Sequence, residues 1–478
     1  MGALHLSMAV AFHPSRLFCR RLMMKMSLTR LAVWGLAVVL AFAGKAAFAD
    51  SWPEQSVLNG YLEEGARANP GLQAAFARFD AALDKVPQAR AWPDPRLSFA
   101  VFTVPAESRT GPQRMRYGVS QMLPWFGKRD LKASVAEHEA AALLAQAQSV
   151  KLALFRDIEA AYFEYAYLGK ALESAREELE ILKYFESLVE VRYAVSSASY
   201  ADFTRVQVER ARAEERIASL EDYRLPLSER LRTLLGRPAG EILPMPEDVP
   251  FMITGWDDRR ITSAVTAQNL ALAALDAKAQ AADAAGDLAR REFFPDLTVG
   301  VESIYTDAPR MAGVVNEGKD PVAITFGINL PFDQDARQAA VRQAKNSARA
   351  TRLERADKVA GLEAQASRLL FGIRDGSRRL ELLRETIVPK ARQNLDASMD
   401  AYQAGKASML DLLTAEKTLI ELELQYHRVL ADQAVRLADL DVLAGEEIPR
   451  TFTRTPALAG KEQARDLRVT LTKPEASK

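Results

Sequence analysis

The sequence predicts a mainly α chain with a small β part, built as two copies of one plan. Three observations predict it. Landmarks recur at a nearly constant offset along the 478 residues, two long stretches keep a 3.5-residue apolar period, and four short segments switch to a period of two. Each copy reads as helix, strand, loop, strand, very long helix, tip and helix, so each long helix and its return make a coiled-coil hairpin.

The repeat is legible in several places. YAVSSASYADFT (Tyr193–Thr204) and YQAGKASMLDLL (Tyr402–Leu413) are two versions of one stretch, 209 residues apart. ARAWPDPRLSFAV (Ala89–Val101) resembles ARREFFPDLTVGV (Ala289–Val301), and YGVSQMLPWF (Tyr117–Phe126) resembles ITFGINLPFD (Ile324–Asp333). LRTLLG and LDVLAG close the copies at Gly236 and Gly445. The chain divides into an export signal at 1–49, repeat 1 at 50–250, repeat 2 at 251–447 and a flexible tail at 448–478. The tail has no sustained period and is rich in Thr, Pro and Lys.

The N-terminus reads as an export signal. Arg20, Arg21, Lys25 and Arg30 precede the apolar run Leu31–Ala43, and Ala47-Phe48-Ala49 is a small-residue site with cleavage before Asp50. The run falls short of the roughly 20 apolar residues that span a bilayer; an uncleaved anchor is the alternative. Met26 is a candidate start. Asp50, not Cys, follows the cleavage site, so no lipid anchor is expected there. No other segment approaches transmembrane-helix length, which leaves a periplasmic, a secreted or a β-stranded outer-membrane protein.

The long helices follow from spacing. Leu154, Ile158, Ala161, Tyr165, Leu168, Leu172, Ala175, Leu179 and Leu182 alternate steps of four and three, as do Val359, Leu362, Ala366, Leu369, Ile373, Gly376, Leu380, Leu383 and Ile387. Such a period keeps one seam against a partner helix. From Lys128 to Tyr193, and from Arg337 to Tyr402, about 66 residues at 1.5 Å each give rods of roughly 100 Å. Pro389 is expected to kink or break the second.

The strands follow from alternation. Leu97, Phe99 and Val101; Met115, Tyr117 and Val119; Leu297, Val299 and Val301; and Val322, Ile324, Phe326, Ile328 and Leu330 alternate with small or polar residues. At about 8–10 residues these segments fit a tilted bilayer crossing, with lipid on one face and water on the other. A half-buried strand of a soluble sheet shows the same alternation. The flanks favour the membrane: Trp92, Phe293 and Phe294 precede the rising strands, while Trp125, Phe126 and Phe332 follow the returning ones. All six fall at one end, as an interfacial girdle would. Polar loops at Pro105–Gln113 and Asp307–Asp320 suit the extracellular side. Four strands cannot close a barrel, and open edges are not tolerated in lipid, so a membrane location demands more than one copy.

Several function classes are excluded. Gly405-Lys406 is no phosphate loop, because Asp400 and Ala407 stand where a glycine and a Ser or Thr are required. Cys19 is the only cysteine and lies in the leader, which removes disulfides, thiolate metal sites and cysteine nucleophiles from the mature chain. The 63 basic and 63 acidic residues balance, with six basic residues in the leader, so the mature chain carries no basic excess for nucleic acid. His138 and His427 read as solvated helix residues, and no catalytic arrangement, metal-ligand spacing or cofactor motif is present. An enzyme is not expected.

These residues together resemble the TolC-like outer-membrane efflux proteins over about residues 55–446. The paired PD junctions before strands, the paired LP(W)F junctions after them and the two tips carry the likeness. SQMLPWFGKR (Ser120–Arg129) is most similar to the heavy-metal (Czc/Cus-type) branch. The resemblance implies a homotrimer in outer-membrane lipid, with a twelve-stranded barrel continuing into a periplasmic α-barrel. It also implies a periplasmic adaptor and an inner-membrane pump of RND type as partners. Tyr193, Ser196, Ser199, Tyr402, Gly405, Lys406 and Ser408 fall at the tips where the adaptor docks. Gly405 suits a turn with positive φ, and Ser196 takes its place in the first copy. Asp411 and Asp202 match gate aspartates, while Thr414 stands where the family pattern has a second aspartate, implying a less acidic gate. The alternative for both aspartates is that each only caps the helix beside it. The function implied is a passive exit duct for small solutes or metal ions. A duct for type I protein secretion uses the same tunnel, and a periplasmic adaptor would carry one hairpin between lipoyl-like halves.

Overall fold

The computed structural model describes residues 54–240, 242–309, 313, 315–316 and 318–453. The export signal, Met26 and the tail beyond 453 lie outside the described residues. The first copy runs α1 (Gln55–Ala68), α2 (Pro70–Arg90), β1 (Arg96–Ser108), β2 (Gly111–Leu123), α3 (Lys128–Ala194) and α4 (Tyr200–Leu235). A short strand, β3 (Phe251–Thr254), precedes the second copy. This runs α5 (Asp258–Gln268), α6 (Leu270–Arg291), β4 (Leu297–Thr306), β5 (Val322–Ile328), α7 (Gln334–Leu382), a π-helical turn (Leu383–Ile387), α8 (Val388–Gln403) and α9 (Met409–Ala444), and β6 (Arg450–Thr453) follows.

The opening helix of each copy is two helices joined at an asparagine. The side chain of Asn69 accepts from the Leu72 amide to start α2, and Asn269 does the same for α6 through Ala271 and Leu272. Each asparagine also donates across the chain, Asn69 Nδ2 to the Leu234 carbonyl at 2.9 Å and Asn269 Nδ2 to that of Leu443 at 2.8 Å. One side chain thus starts one helix and satisfies a carbonyl orphaned at the end of another. The glycines that follow, Gly236 and Gly445, have positive φ, and a Cβ there would meet the Ala68 and Gln268 carbonyl oxygens at 2.7 and 2.2 Å.

The sheet is antiparallel in the order β1-β2-β4-β5. Register aligns Leu97, Val119, Val301 and Ile324 in one row, and these side chains are 80, 49, 48 and 67 % exposed. The next row, Ser98, Gly118, Glu302 and Ala323, is small or polar, and Arg116 lies 3.9 Å from Glu302 on that face. The outer edges of β1 and β5 pair with no strand among the described residues.

Two strands are longer than alternation indicated. β1 and β2 have 13 residues each and meet at a tight turn, so the loop expected at Pro105–Gln113 is mostly strand. Gly111, at φ 136°, permits the turn, because a Cβ there would collide with the Asp307 carbonyl. Conversely β5 stops at Ile328, short of Leu330.

α3 is a single helix of 67 residues, and its expected seam is buried, with Leu179 half-buried. The break foreseen at Pro389 is the π-turn just before it. A π-turn adds one residue to the helical cycle, which moves the seam: Val388 is fully buried where Ile387 was expected and is only half so.

The tail expectation fails for its first residues. β6 pairs antiparallel with β3, and Ile448 is buried. Arg450, with a side chain only 6 % exposed, pairs with Glu159 of α3 at 2.9 Å and with Asp441 of α9. His427, expected in solvent, is 8 % exposed against Tyr426; His138 is half-buried. No described helix is long and apolar enough to cross a membrane.

Candidate functional site

The tips close by one rule in both copies. Ser197 N donates to the Arg192 carbonyl and Ser196 N to that of Tyr193, while Lys406 N donates to Ala401 and Gly405 N to Tyr402. This pairing ends a helix through one left-handed residue. Gly405 has φ 71° and Ser196 has φ 59°, so serine adopts the conformation that glycine adopts without strain.

The return helices begin with reciprocal capping boxes. Ser199 Oγ accepts from the Asp202 amide at 3.1 Å, and Asp202 Oδ2 accepts from the Ser199 amide and hydroxyl. Ser408 and Asp411 repeat it, with the Ser408 amide and hydroxyl donating to Asp411 Oδ2 at 3.0 and 2.7 Å. The serines are therefore the N-caps and the aspartates their third-position partners. The Ser408 hydroxyl, then its amide, holds the exposed Asp411 carboxyl below the usual carboxylate range.

Charge separates the copies. Arg205 lies 3.7 Å from Asp202 Oδ1. Thr414 occupies the matching place in the second copy and spends its hydroxyl on the Leu410 carbonyl at 2.7 Å. Among the described residues Asp411 is thus left without the basic neighbour that Asp202 has.

The two tips of one chain touch. The Arg192 guanidinium lies 4.6 Å over the Tyr402 ring and donates to the Tyr402 carbonyl. Tyr402, grouped by sequence with the docking residues, is buried at 5 % exposure among Leu182, Phe185, Val206, Met409 and Leu412. The tip core needs it there, so it is not a surface residue. Tyr193, Ser196, Ser199, Gly405, Lys406 and Ser408 are exposed.

The aromatic residues gather at the junction of sheet and helices. Trp125 stacks on Phe294 at 5.3 Å and meets Phe126 edge-on, and Arg129 lies 3.7 Å over the Trp92 ring. Phe126 and Phe332 are both 84 % exposed, and Phe293 is half-buried. Beneath them Lys128, 2 % exposed, donates to Asp296 Oδ1 and the Phe294 carbonyl, each at 2.9 Å, and lies 3.3 Å from Glu292. Arg337, the Lys128 counterpart, donates to the Glu292 carbonyl at 2.9 Å. Burial works against charge on Asp296, yet Lys128 and the Trp125 amide hold it below the usual carboxylate range. Both long helices are therefore pinned at the foot of the sheet.

Sequence reasoning missed Arg192, Arg205, the Asn69 and Asn269 staples and Arg450. The asparagines alone left a signal, since each stands before an apolar run at an offset of 200. No group of three or more His, Cys, Asp or Glu among the described residues could hold a metal ion.

The pattern of one family, described as outer membrane efflux protein, matches residues 62–237 and 261–446, one segment in each copy. The chain is 25 % identical over 408 residues to the cobalt-zinc-cadmium resistance protein CzcC of Cupriavidus metallidurans, covering 81 % of this chain and 90 % of the relative. It is 26 % identical over 322 residues to the pyoverdine export outer membrane protein OpmQ of Pseudomonas putida, covering 65 % of each. Its fold matches the crystal structure of the outer membrane protein VceC from Vibrio cholerae with a TM-score of 0.68 at 20 % identity, covering 82 % of this chain and 97 % of that one.

Proposed function

Because the chain belongs to the outer membrane efflux protein family, we propose that three copies of it close a twelve-stranded barrel over a periplasmic helical duct. Members of the family are channels of tripartite efflux systems in the outer membrane, not enzymes. In this reading the duct is a passive exit for small solutes or metal ions. An RND-type inner-membrane pump drives them through a periplasmic adaptor docked on the exposed tip residues. The likeness to a cobalt-zinc-cadmium resistance protein over 81 % of the chain favours metal ions as cargo.

The observation that carries the reading is the pair of open edges. β1 and β5 each leave one side unpaired among the described residues, and lipid does not tolerate such edges. Below β5, α7 buries Leu362, Ile373 and Leu380 against its own chain. On the opposite side of the helix it exposes Leu353, Phe371 and Leu382 at 61, 59 and 51 %. A stripe of large apolar side chains on an edge helix calls for a neighbour, and a rotationally related copy supplies one without leaving a new edge.

Asp411 is the gate residue on this reading. Three carboxylates around one axis favour cations; Ser408 holds Asp411 ionised, and Thr414 in place of an arginine leaves that charge uncompensated. Trp92, Trp125, Phe126, Phe293, Phe294 and Phe332 sit at the membrane interface, where barrels carry aromatic girdles.

The test is deletion of the gene followed by challenge with divalent metals, dyes and antibiotics, alongside cell fractionation. Gained metal sensitivity, with the protein in the outer membrane, is expected. Unchanged sensitivity with loss of a secreted protein would assign a secretion duct instead, and recovery of the protein from the soluble periplasm would overturn the reading.

A further inference from the structure

Glu416 stands where α9 needs an apolar residue. Met409, Leu412, Leu413, Glu416, Leu419, Ile420, Glu423 and Tyr426 form the inward seam of the helix, and all are buried. Glu416 is 2 % exposed, and its Oε1 has no hydrogen-bond partner. One heptad on, the equally buried Glu423 is closed by an ion pair with Arg392 of α8. Glu416 has no such partner among the described residues.

Its position gives this isolation a consequence. The apolar cluster of the tips ends on α9 at Leu413, and the main core resumes at Leu419. Glu416 lies in the gap, where the tip joins the body. A buried carboxyl without a partner is comfortable only with its proton. The charges that reach it are Glu178 on α3, Glu209 and Arg216 on α4, and Lys417 on its own helix. Arg216 is held 3.1 Å from Glu178, and Glu209 lies 2.8 Å from Arg212. α8 brings Arg392, whose Nη2 pairs with Glu423 while its Nε and Nη1 have no hydrogen-bond partner among the described residues, with Asp396 and Asp400 further toward the tip.

We propose that Glu416 is a proton-operated latch on the α8–α9 tip. Protonated, it lets the seam close across the gap; ionised, it places a bare charge between the two apolar clusters and loosens the tip from the body. Burial first, then Glu178 and Glu209, push its carboxyl up to about 8, against the opposing Arg216 and Lys417. Because the folded value lies above the ordinary one, the closed seam is fully stable below the ordinary carboxylate range. It weakens as pH rises toward about 8. The latch belongs to one chain; only its effect on an entrance rests on the duct reading.

Hydrogen–deuterium exchange of the full-length protein in detergent, corrected for intrinsic rates, tests this between pH 6.5 and 9.5. Protection of residues 395–420 is expected to fall about tenfold or more in the wild type, on the scale of tenfold per pH unit for one linked proton. It should stay flat in Glu416→Gln. Glu178→Gln, which removes a nearby negative charge, should move the midpoint to lower pH, and this arm stands even if Glu416→Gln does not fold. A wild type with no fall, a Glu416→Gln variant with the same fall, or an unmoved midpoint in Glu178→Gln would each overturn the latch. None of these readouts depends on transport, so the duct reading is judged separately.

Discussion

The tip of the first copy and the tip of the second close with the same backbone hydrogen bonds, one left-handed residue at the same place and the same serine–aspartate box. Their side chains have diverged. Ser196 corresponds to Gly405, Arg205 to Thr414, Arg192 to Ala401, and the exposed Tyr193 to the buried Tyr402. Backbone groups at a helix end need partners wherever the helix occurs, so the caps are held in both copies. An exposed ion pair contributes little to stability, so its loss from one copy is inexpensive to the fold and leaves charge free to serve another purpose.

The largest effect is expected away from the tips, where the copies are tied together. Arg450 bridges one carboxylate on α3 and one on α9, from the strand that follows the second copy. Arg450→Ala strands both and should destabilise the protein by roughly 3–5 kcal/mol, read as a lowered Tm in detergent.

The shared backbone predicts unequal costs at two glycines with similar φ. In Gly445→Ala the new Cβ meets the Gln268 carbonyl at 2.2 Å, whereas at Gly405 nothing lies closer than 3.6 Å. Gly405→Ala should cost about 1 kcal/mol, the ordinary left-handed penalty, and Gly445→Ala at least twice as much. Equal losses of Tm would mean that the close approach is relieved by movement.

The divergent charge predicts a functional asymmetry. In planar-bilayer recordings Asp411→Asn should reduce cation preference, while Asp202→Asn, whose partner is Arg205, should change it little. Equal effects would place the two carboxylates in the same role. The smallest effect is expected at Ser196→Gly, which relieves a left-handed serine and should stabilise the first tip by up to about 1 kcal/mol. It is best read as slower exchange of the amides around Ser197.

Much of this was legible in the sequence because it is periodic. The seam from Leu154 to Leu182 and the alternating strands declare themselves through spacing alone, and the duplication fixed the order of elements. What periodicity does not carry was lost. The π-turn shifts a seam by one residue without changing composition, so Pro389 announced a break but not that Val388 would replace Ile387. Arg450 draws its partners from residues 291 and 9 positions away, and nothing local in IPRTFT announces either. At the candidate site, Gly405 was visible as a turn residue and the aspartates as capping candidates, but not Ser199 and Ser408 as the N-caps. The pairing of Arg205 with Asp202 was not, because it shows only when the copies are compared side chain by side chain.

On the proposed reading one chain cannot close its own wall. Native mass spectrometry of the mature protein, extracted from the outer membrane in mild detergent, counts the copies. Three copies in one particle are the predicted result. A stable single chain, or a particle of any other copy number, would contradict it.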